Sequence, residues 1–471
     1  MDMDGTLLAT DILWESLFIL LKKNPVRFFC FLPTLIFKGK AYFKYRLARM
    51  VRINPSLLPY RAELLKFLER EKYEGREIFL ATASDQYPAE AVSEHIGLFS
   101  GVLASDGNIN LSGQCKAEAI KKYVQEEAFD YIGNDKKDLP ICRAARQAYL
   151  VCPSRRVEKF ANQNLANCRV LIRKPTILHP LLNCLRVHQW AKNLLLFVPL
   201  VTSHLIFQWE YTLITILAFF AFSFCASGVY ILNDLLDLES DRQDPHKKHR
   251  PFASGALPIQ WGPVLMFICI GGGFFVMASW MLPPIFGVVL VTYLVLSTSY
   301  SFYLKSIPLV DVFLLAGLYA FRVFAGGVLI GIAISPWLLA FSLFFFLSLA
   351  LMKRFAELER RQKEGEVSVK GRGYRVGDLS FVGVIGCVSG YLSILVLALY
   401  MTSQTIVELY NSPQGLWVVS LLLLYWMTRV WMISFRGEMN FDPIVFAMRD
   451  RTSYLVGASI ALIVWLSAIG V

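Results

Sequence analysis

The densest chemistry in this sequence lies in Asn233-Asp234-Leu235-Leu236-Asp237-Leu238-Glu239-Ser240-Asp241, continuing to Asp244, Lys247, Lys248 and Arg250. An apolar run from Tyr211 to Leu232 leads into it without a break. Read as one continuous helix, Asp234, Asp237 and Asp241 stand three and four residues apart and share a face. Three carboxylates on one face repel one another until a cation sits among them. Hard oxygen donors suit Mg2+, which proteins hold with one or two carboxylates together with substrate phosphates. Lys247, Lys248 and Arg250 follow closely enough to grip those phosphates. The simpler reading is a solvated, charged loop between two helices. The Asn-Asp start at the end of an apolar run, and the three-four spacing, favour a metal–diphosphate site.

A second set opens the chain. Met1-Asp2-Met3-Asp4-Gly5-Thr6 places two aspartates one residue apart. Glu77 to Thr82 is an apolar strand ending in a hydroxyl, Lys116 follows a Gly-Gln-Cys turn, and Tyr131 to Pro140 is a strand ending in an acidic loop. In this order the four segments resemble the motifs of the haloacid dehalogenase superfamily. The resemblance implies an α/β domain over residues 1–153, with a helical cap formed by about Thr10 to Leu68. It implies that Asp2 attacks phosphorus and forms an aspartyl-phosphate. Asp4 would protonate the leaving oxygen and then activate water. Thr82 and Lys116 would hold the phosphoryl oxygens. Mg2+ among Asp2, Asp4, Asn134, Asp135 and Asp138 would offset the charge. Two features depart from that family. Asp2 is the second residue, so the strand before it is clipped or starts upstream. Asn134 stands where an aspartate is usual, with Asp135 beside it as a substitute. Within the cap, Phe28 to Phe37 is apolar and flanked by Lys22, Lys23, Arg27, Lys38 and Lys40. It either rests on a bilayer surface or forms the core of the cap.

The elements that must carry these residues follow from composition. The chain has 471 residues, 55% of them hydrophobic, and a net charge of +11. Hydropathy is uneven: the first third is mixed and the rest is dominated by long apolar runs that read as membrane spans. The basic residues cluster in particular loops, which points to membrane topology and anionic substrates and away from nucleic acid. Nine cysteines are scattered with no C-x-x-C spacing, so neither a disulfide framework nor a zinc site is expected. The opening residues do not read as a cleavable signal peptide. Residues 154–185, rich in basic side chains, read either as a juxtamembrane linker along an anionic surface or as an ordinary soluble linker, and residues 186–471 as an all-α polytopic membrane domain.

Nine spans are predicted: Leu194–Trp209, Tyr211–Leu232, Val264–Leu282, Ile285–Leu304, Val310–Ile332, Trp337–Met352, Phe381–Met401, Leu416–Trp431 and Tyr454–Val471. Basic residues fall in the loops after the second, fourth, sixth and eighth spans. The positive-inside rule therefore puts those loops, the first domain and both candidate sites in the cytosol of a cell with this protein in its inner membrane. Arg186 and Lys192 flank Trp190 at the first span and could contact a phosphate or anchor the interface. Asp311 and Arg322 share a helical face about 16 Å apart. An arginine near mid-span is costly and marks function by default, meeting a lipid phosphate or pairing with a carboxylate.

Asn233-Asp234-x-x-Asp237-x-x-x-Asp241 resembles the first aspartate-rich motif of the UbiA superfamily of intramembrane prenyltransferases. Asp244-Pro245-x-Lys247-Lys248-x-Arg250-Pro251 and the Gln189-Trp190-x-Lys192-Asn193 segment are similar to its polyprenyl-phosphate phosphoribosyltransferase branch. Tyr300-Ser301-x-x-Leu304-Lys305-x-x-Pro308-x-Val310-Asp311 resembles the family's second motif. Lys353-Arg354, with Gly371-Arg372-Gly373-Tyr374, resembles the branch's third basic loop. The resemblance implies a Mg2+-dependent transferase of cell-envelope biosynthesis, with 5-phosphoribosyl diphosphate as donor and polyprenyl phosphate as acceptor. Asn233, Asp234, Asp237 and Asp241 would hold the metal. Arg186, Lys192, Lys247, Lys248, Arg250, Tyr300, Lys305, Asp311, Arg322, Lys353 and Arg354 are the candidate substrate contacts. The fused first domain would remove the 5-phosphate of the product. The alternatives are transfer of a prenyl group to an aromatic acceptor, and a non-enzymatic membrane scaffold. A homo-oligomer is compatible with the sequence.

Overall fold

The computed structural model describes all residues except 126–127, 280–281, 366–372, 404–409, 411–412, 440–441 and 470–471. Gly371 and Arg372 of the third basic loop lie outside the described residues. The chain divides into two units, Met1–Arg186 with Tyr230–Phe267, and Val187–Val229 with Ile268–Val471.

The first unit begins with a helical cap: α1 (Ile12–Lys23), α2 (Pro25–Phe31), α3 (Thr34–Met50) and α4 (Ala62–Tyr73). Asp11 caps α1 by accepting from Leu13 N at 2.9 Å, which satisfies an otherwise orphaned donor. Asn24 caps α2 in the same way, with Pro25 in the first turn. Leu17, Leu20, Phe31, Phe43, Leu47 and Val51 form the cap's own core. Phe29, Ile36 and Phe37 are exposed. One face of the Phe28–Phe37 run is thus part of the cap's core and the other is open.

Parallel strands follow, alternating with helices: β1 (Phe79–Asp85), α5 (Gln86–Ile96), β2 (Gly101–Ser105), α6 (Gln114–Val124), β3 (Asp130–Gly133), α7 (Leu139–Ala144), β4 (Gln147–Val151), α8 (Arg155–Asn164) and β5 (Cys168–Ile172). β1 pairs with β2, and β3, β4 and β5 form a second sheet. Between the two lies Met1–Met3: Ala81 N donates to Met1 O at 2.7 Å and Asp2 N donates to Ile132 O at 2.9 Å. The order across is therefore β2, β1, Met1–Met3, β3, β4, β5. The chain winds outward in both directions from the centre, and ligand crevices form at the carboxyl ends of strands at such a switch point. Residues 154–185 are not a free linker: Ser154 caps α8, β5 completes the second sheet, and α9 (Leu178–Leu185) follows.

Val187–Phe197 is a 3-10 segment, followed by α10 (Val198–Thr202) and α11 (Trp209–Leu236). The first expected span is therefore broken. Pro199 lacks the N–H that a continuing helix needs, and His204 has φ 60. Helix α11 ends at Leu236. Asp237, at φ −104 and ψ 14, makes a corner into α12 (Leu238–Gln243). The expected single helix across the three aspartates is corrected to two helices meeting at the middle one. The Asp237 N–Asn233 O and Asp241 N–Asp237 O bonds, 3.0 and 2.8 Å, keep the helical spacing through the corner.

Then come α13 (Trp261–Ala278), α14 (Pro284–Phe302), α15 (Val310–Ile330), α16 (Pro336–Lys363), α17 (Leu379–Met401), α18 (Trp417–Phe435), α19 (Pro443–Ala447) and α20 (Arg451–Ile469). Among the described residues seven helices, α11 and α13 to α18, are long and apolar enough to cross a membrane, against the nine expected; α20 is a shorter apolar helix. The core of the second unit joins Leu351 and Phe355 of α16, Val382 of α17, and Met427 and Trp431 of α18. Helices in lipid gain no hydrophobic drive and associate by close packing over small residues. Gly386 shows this: a Cβ there would lie 2.3 Å from the Trp431 ring. Ser348 Oγ donates to Gly386 O at 2.7 Å and accepts from Trp431 Nε1 at 3.0 Å. Gly386→Ala is expected to cost about 1–3 kcal/mol by overpacking. Gly317→Ala, where no atom approaches within 4 Å, should be tolerated. Thermal unfolding of both variants in detergent checks the contrast.

Candidate functional site

The first unit encloses a cavity of about 440 Å3 at the switch point, lined by Asp2, Asp4, Lys116, Asn134, Asp135 and Asp138 among others. Asp2 sits at the end of the central segment. Lys116 Nζ donates to its Oδ1 at 2.7 Å and Thr6 Oγ1 donates to Oδ2 at 3.1 Å. Lys116 also stands 3.5 Å from Asp138. Burial alone would lower its pKa, but the Asp2 and Asp138 carboxylates outweigh burial and hold the ammonium charged. Asp4 accepts from Ile12 N at 2.9 Å and from Ser84 Oγ at 2.6 Å. Burial, with the Asp11 carboxylate nearby, pushes Asp4 up to about 7. Burial raises Asp2 as well, against the pull of the Lys116 ammonium.

The other expected groups divide. Asp138 accepts from Tyr131 OH at 2.7 Å and from the Asn134 and Asp135 N–H groups at 3.1 Å, which fixes the acidic loop. Asn134 packs against the Asp2–Asp4 turn, where a Cβ on Gly5 would lie 2.1 Å from its Nδ2. Thr82 is fully buried, its hydroxyl accepts from Ser84 N at 3.1 Å, and the cavity wall there is Ala83 and Ser84. Ser84 is a site residue that sequence reasoning missed, although it lies two positions beyond the motif. Lys44 is another: it enters from α3 and donates to Ala83 O at 2.5 Å.

The aspartate-rich segment forms a second cluster in the same unit. Arg250 Nη1 lies 3.1 Å from Asp234 Oδ1 and 2.7 Å from Asp241 Oδ2. Arg186 also donates to Asp234. Asp234 and Asp241 are buried, and burial pushes Asp241 up to about 6 against the pull of Arg250. Asp237 accepts from Lys22 of α1 at 2.8 Å. Lys247 pairs with Asp244 at 3.4 Å, and Lys248 is exposed. Next to the cluster Arg242 Nη2 meets Glu15 Oε1 at 2.5 Å, with 7% and 1% of their side chains exposed. Among the described residues no three His, Cys, Asp or Glu side chains are gathered as a ready metal cage. The donor set instead fits Mg2+ held jointly with a phosphate ligand: two carboxylates converge on one seat, which a guanidinium now fills.

The second unit holds the remaining candidates. Arg354 is expected to meet a donor phosphate. It is buried, donates from Nε to Asp311 Oδ2 at 2.7 Å, and pairs with Glu357. Tyr374 OH donates to the other Asp311 oxygen at 2.6 Å. Arg354 Nη2 has no partner among the described residues. Among the described residues Arg322 meets no carboxylate. It donates to Asn193 Oδ1 at 2.9 Å and lies 5.2 to 5.6 Å from the Phe222, Tyr293 and Tyr319 ring centres. Asn193 in turn donates to Ser223, and Trp190 to Ser227, both at 2.9 Å, so this motif ties the 3-10 segment to α11. Lys192 lies over the Tyr319 ring, and Lys353 donates to Asp442 at 2.6 Å, giving Asp442 the partner that sequence reasoning had not assigned. Tyr300 and Lys305 lie at the end of α14 and in the turn after it, both partly buried.

With seven helices among the described residues long and apolar enough to cross a bilayer, the chain is a multi-span membrane protein. The chain belongs to the UbiA prenyltransferase family, which matches residues 194–448. It is 37% identical over 464 residues to the uncharacterized protein y4nM of Sinorhizobium fredii, across 98% of this chain and 89% of that one. It is 34% identical over 288 residues to nodulation protein NoeC of Azorhizobium caulinodans, across 59% of this chain and 89% of that one. It is 29% identical over 292 residues to decaprenyl-phosphate phosphoribosyltransferase of Mycobacterium tuberculosis, across 61% of this chain and 91% of that one.

Arg354→Ala removes the guanidinium that pairs with the buried Asp311 carboxylate. Removing one partner of a buried pair costs about 3–5 kcal/mol, so the variant should unfold at a clearly lower temperature than the wild type in the same detergent.

Proposed function

We propose that the chain transfers the 5-phosphoribosyl group of phosphoribosyl diphosphate to a polyprenyl phosphate, and that the cavity of the first unit then removes the 5-phosphate. The observation that carries the transfer is the seat made by Asp234 and Asp241, filled by the guanidinium of Arg250. A diphosphate entering there exchanges one set of charges for another: the arginines turn to phosphate oxygens and the carboxylates are left for a metal. Mg2+ held by Asp234 and Asp241, with Asn233 and Asp237 beside them, would offset the charge on the departing diphosphate. The bond from the anomeric carbon to the diphosphate breaks, and an oxygen of the lipid phosphate forms the new bond to that carbon. Arg186, Arg250, Lys247 and Lys248 are the cations available to the donor's phosphates. Likeness to a decaprenyl-phosphate phosphoribosyltransferase favours phosphoribose over a prenyl group.

In the first unit Asp2 is oriented by Lys116 and Thr6 to attack phosphorus, with Asp4 as the acid for the leaving sugar oxygen. Water then cleaves the aspartyl-phosphate with Asp4 as base and releases inorganic phosphate. Mg2+ at Asp2 and the Asn134–Asp138 loop would offset the phosphoryl charge. The pairing of Arg186 with Asp234 supports a shared, cytosolic side for both sites, because the chain that leaves at Arg186 is back beside it at Asp234.

Membranes given labelled phosphoribosyl diphosphate and polyprenyl phosphate should carry label into the lipid phase. Asp234→Asn and Asp241→Asn should each lower that transfer by about 100-fold or more, with the protein still inserted. Wild-type turnover in either would remove the assignment. Asp2→Asn should leave transfer intact and accumulate the 5-phosphorylated lipid. An equal ratio of phosphorylated to free ribose-lipid in variant and wild type would exclude the phosphatase step.

A further inference from the structure

We propose that the cavity of the first unit takes a lipid-anchored phosphate ester, and that the loop Gly255–Trp261 is the wall that selects it. This rests on the phosphatase reading of Asp2 and Asp4. It goes beyond that reading by assigning the substrate's apolar part to residues that precede a membrane span.

The cavity runs from Asp2 and Asp4 to Pro258, Ile259 and Trp261. The loop is fixed against the catalytic turn by several independent contacts. Gly255 has φ +73, and a Cβ there would lie 2.4 Å from Ala9 Cβ, so any larger residue would push the wall away. Gln260 Nε2 donates to Asp11 Oδ2 at 2.9 Å. The buried Glu15–Arg242 pair anchors the preceding helix, and Arg242 Nε donates to Ala253 O at 2.9 Å at the start of the loop. A pair this deeply buried is held only where its geometry is fixed.

Trp261 is the first residue of α13 and 46% exposed. A tryptophan at the entry of a membrane helix sits at headgroup level, its ring amphipathic enough for the interface. One end of the cavity therefore lies at the bilayer surface while the other holds the nucleophile. The cap carries a matching surface, with exposed Phe29, Ile36 and Phe37 beside Lys38 and Lys40. Apolar side chains flanked by cations fit the surface of an anionic bilayer.

The charge lining makes a third argument. One phosphoryl group needs one lysine, and Lys116 supplies it. Lys40, Lys44, Arg61, Lys137 and Lys174 also line the cavity and, with Lys116, outnumber its carboxylates, Asp2, Asp4, Asp11, Asp135 and Asp138, by one. A sugar phosphate joined to its lipid through a second phosphate brings a second anion for these cations, and its lipid leaves past Ile259 and Trp261. Hydrolysis breaks only the terminal P–O bond and consumes one water, so the sugar stays on the lipid and inorganic phosphate departs.

The test uses the full chain in lipid nanodiscs and two esters, polyprenyl-phosphoryl-ribose 5-phosphate and free ribose 5-phosphate. The readout is the ratio of kcat/KM for the lipid-linked ester to that for the free one. Trp261→Ala should lower the ratio about tenfold or more, the scale set by loss of one apolar contact. Trp261→Phe should retain it. Gln260→Ala, which frees the loop from Asp11 without touching an apolar side chain, should lower it too and serves as the second variant. An unchanged ratio in Trp261→Ala and Gln260→Ala, or an equal fall for both esters, overturns the proposal. No Asp2-dependent hydrolysis of either ester by the wild type removes the phosphatase reading, and the free ester reads that outcome independently of the wall.

Discussion

A carboxylate taken out of water costs several kcal/mol unless a cation goes with it. That constraint organises this chain. Asp2, Glu15, Asp234 and Asp311 are all buried, and each is met by a cation: Lys116, Arg242, Arg186 with Arg250, and Arg354. For Asp2 and Glu15 that cation lies 114 and 227 residues away. The pairs close the fold in each unit, and they hold charge where substrate phosphates are expected. A site built this way is preorganised for exchange. On the proposed reading, an incoming anion would meet cations already aimed at the seat, and the carboxylates they release would be free to hold a metal. Tight cation pairing in the free protein is therefore consistent with a metal–diphosphate role.

The residue types of both sites were legible in the sequence because their chemistry is local. Asp2-Met3-Asp4 and the three aspartates from Asp234 to Asp241 announce themselves by spacing. The partners were not legible. Lys22 reaches Asp237 across 215 residues, with no local pattern to mark it. Asp311 shows why helical register misleads. Register singled out Arg322 on the same helix, yet the pair comes from Arg354 on the next one, and Arg322 settles among aromatic rings and Asn193.

The fold was legible where apolar runs are long and uninterrupted, as in α13 to α18. It failed at the first span, where Pro199 and the left-handed His204 break a run that composition alone scores as helix. It failed also at β5, because Arg169 and the basic residues around Cys168–Ile172 look like a surface linker, while the strand is an edge that pairs only with β4. The central position of Met1–Met3 could not be read from two residues. It follows only from hydrogen bonds to β1 on one side and β3 on the other.

The division into units carries the last step. The stretch Tyr230–Phe267 belongs with Met1–Arg186, although sequence order puts it between two membrane helices. The aspartate cluster and the cavity around Asp2 and Asp4 are thus parts of one body, joined by Glu15–Arg242, Lys22–Asp237 and Gln260–Asp11. Were both sites to carry the proposed chemistries, tethering alone would need none of these contacts, since a flexible linker already raises the effective concentration of one module near the other. The buried pair and the shared wall fix orientation as well as proximity. Fixed orientation matters when the product of one site is a lipid with its head at the membrane surface, because such a product diffuses in the bilayer plane and presents its phosphate from one side only.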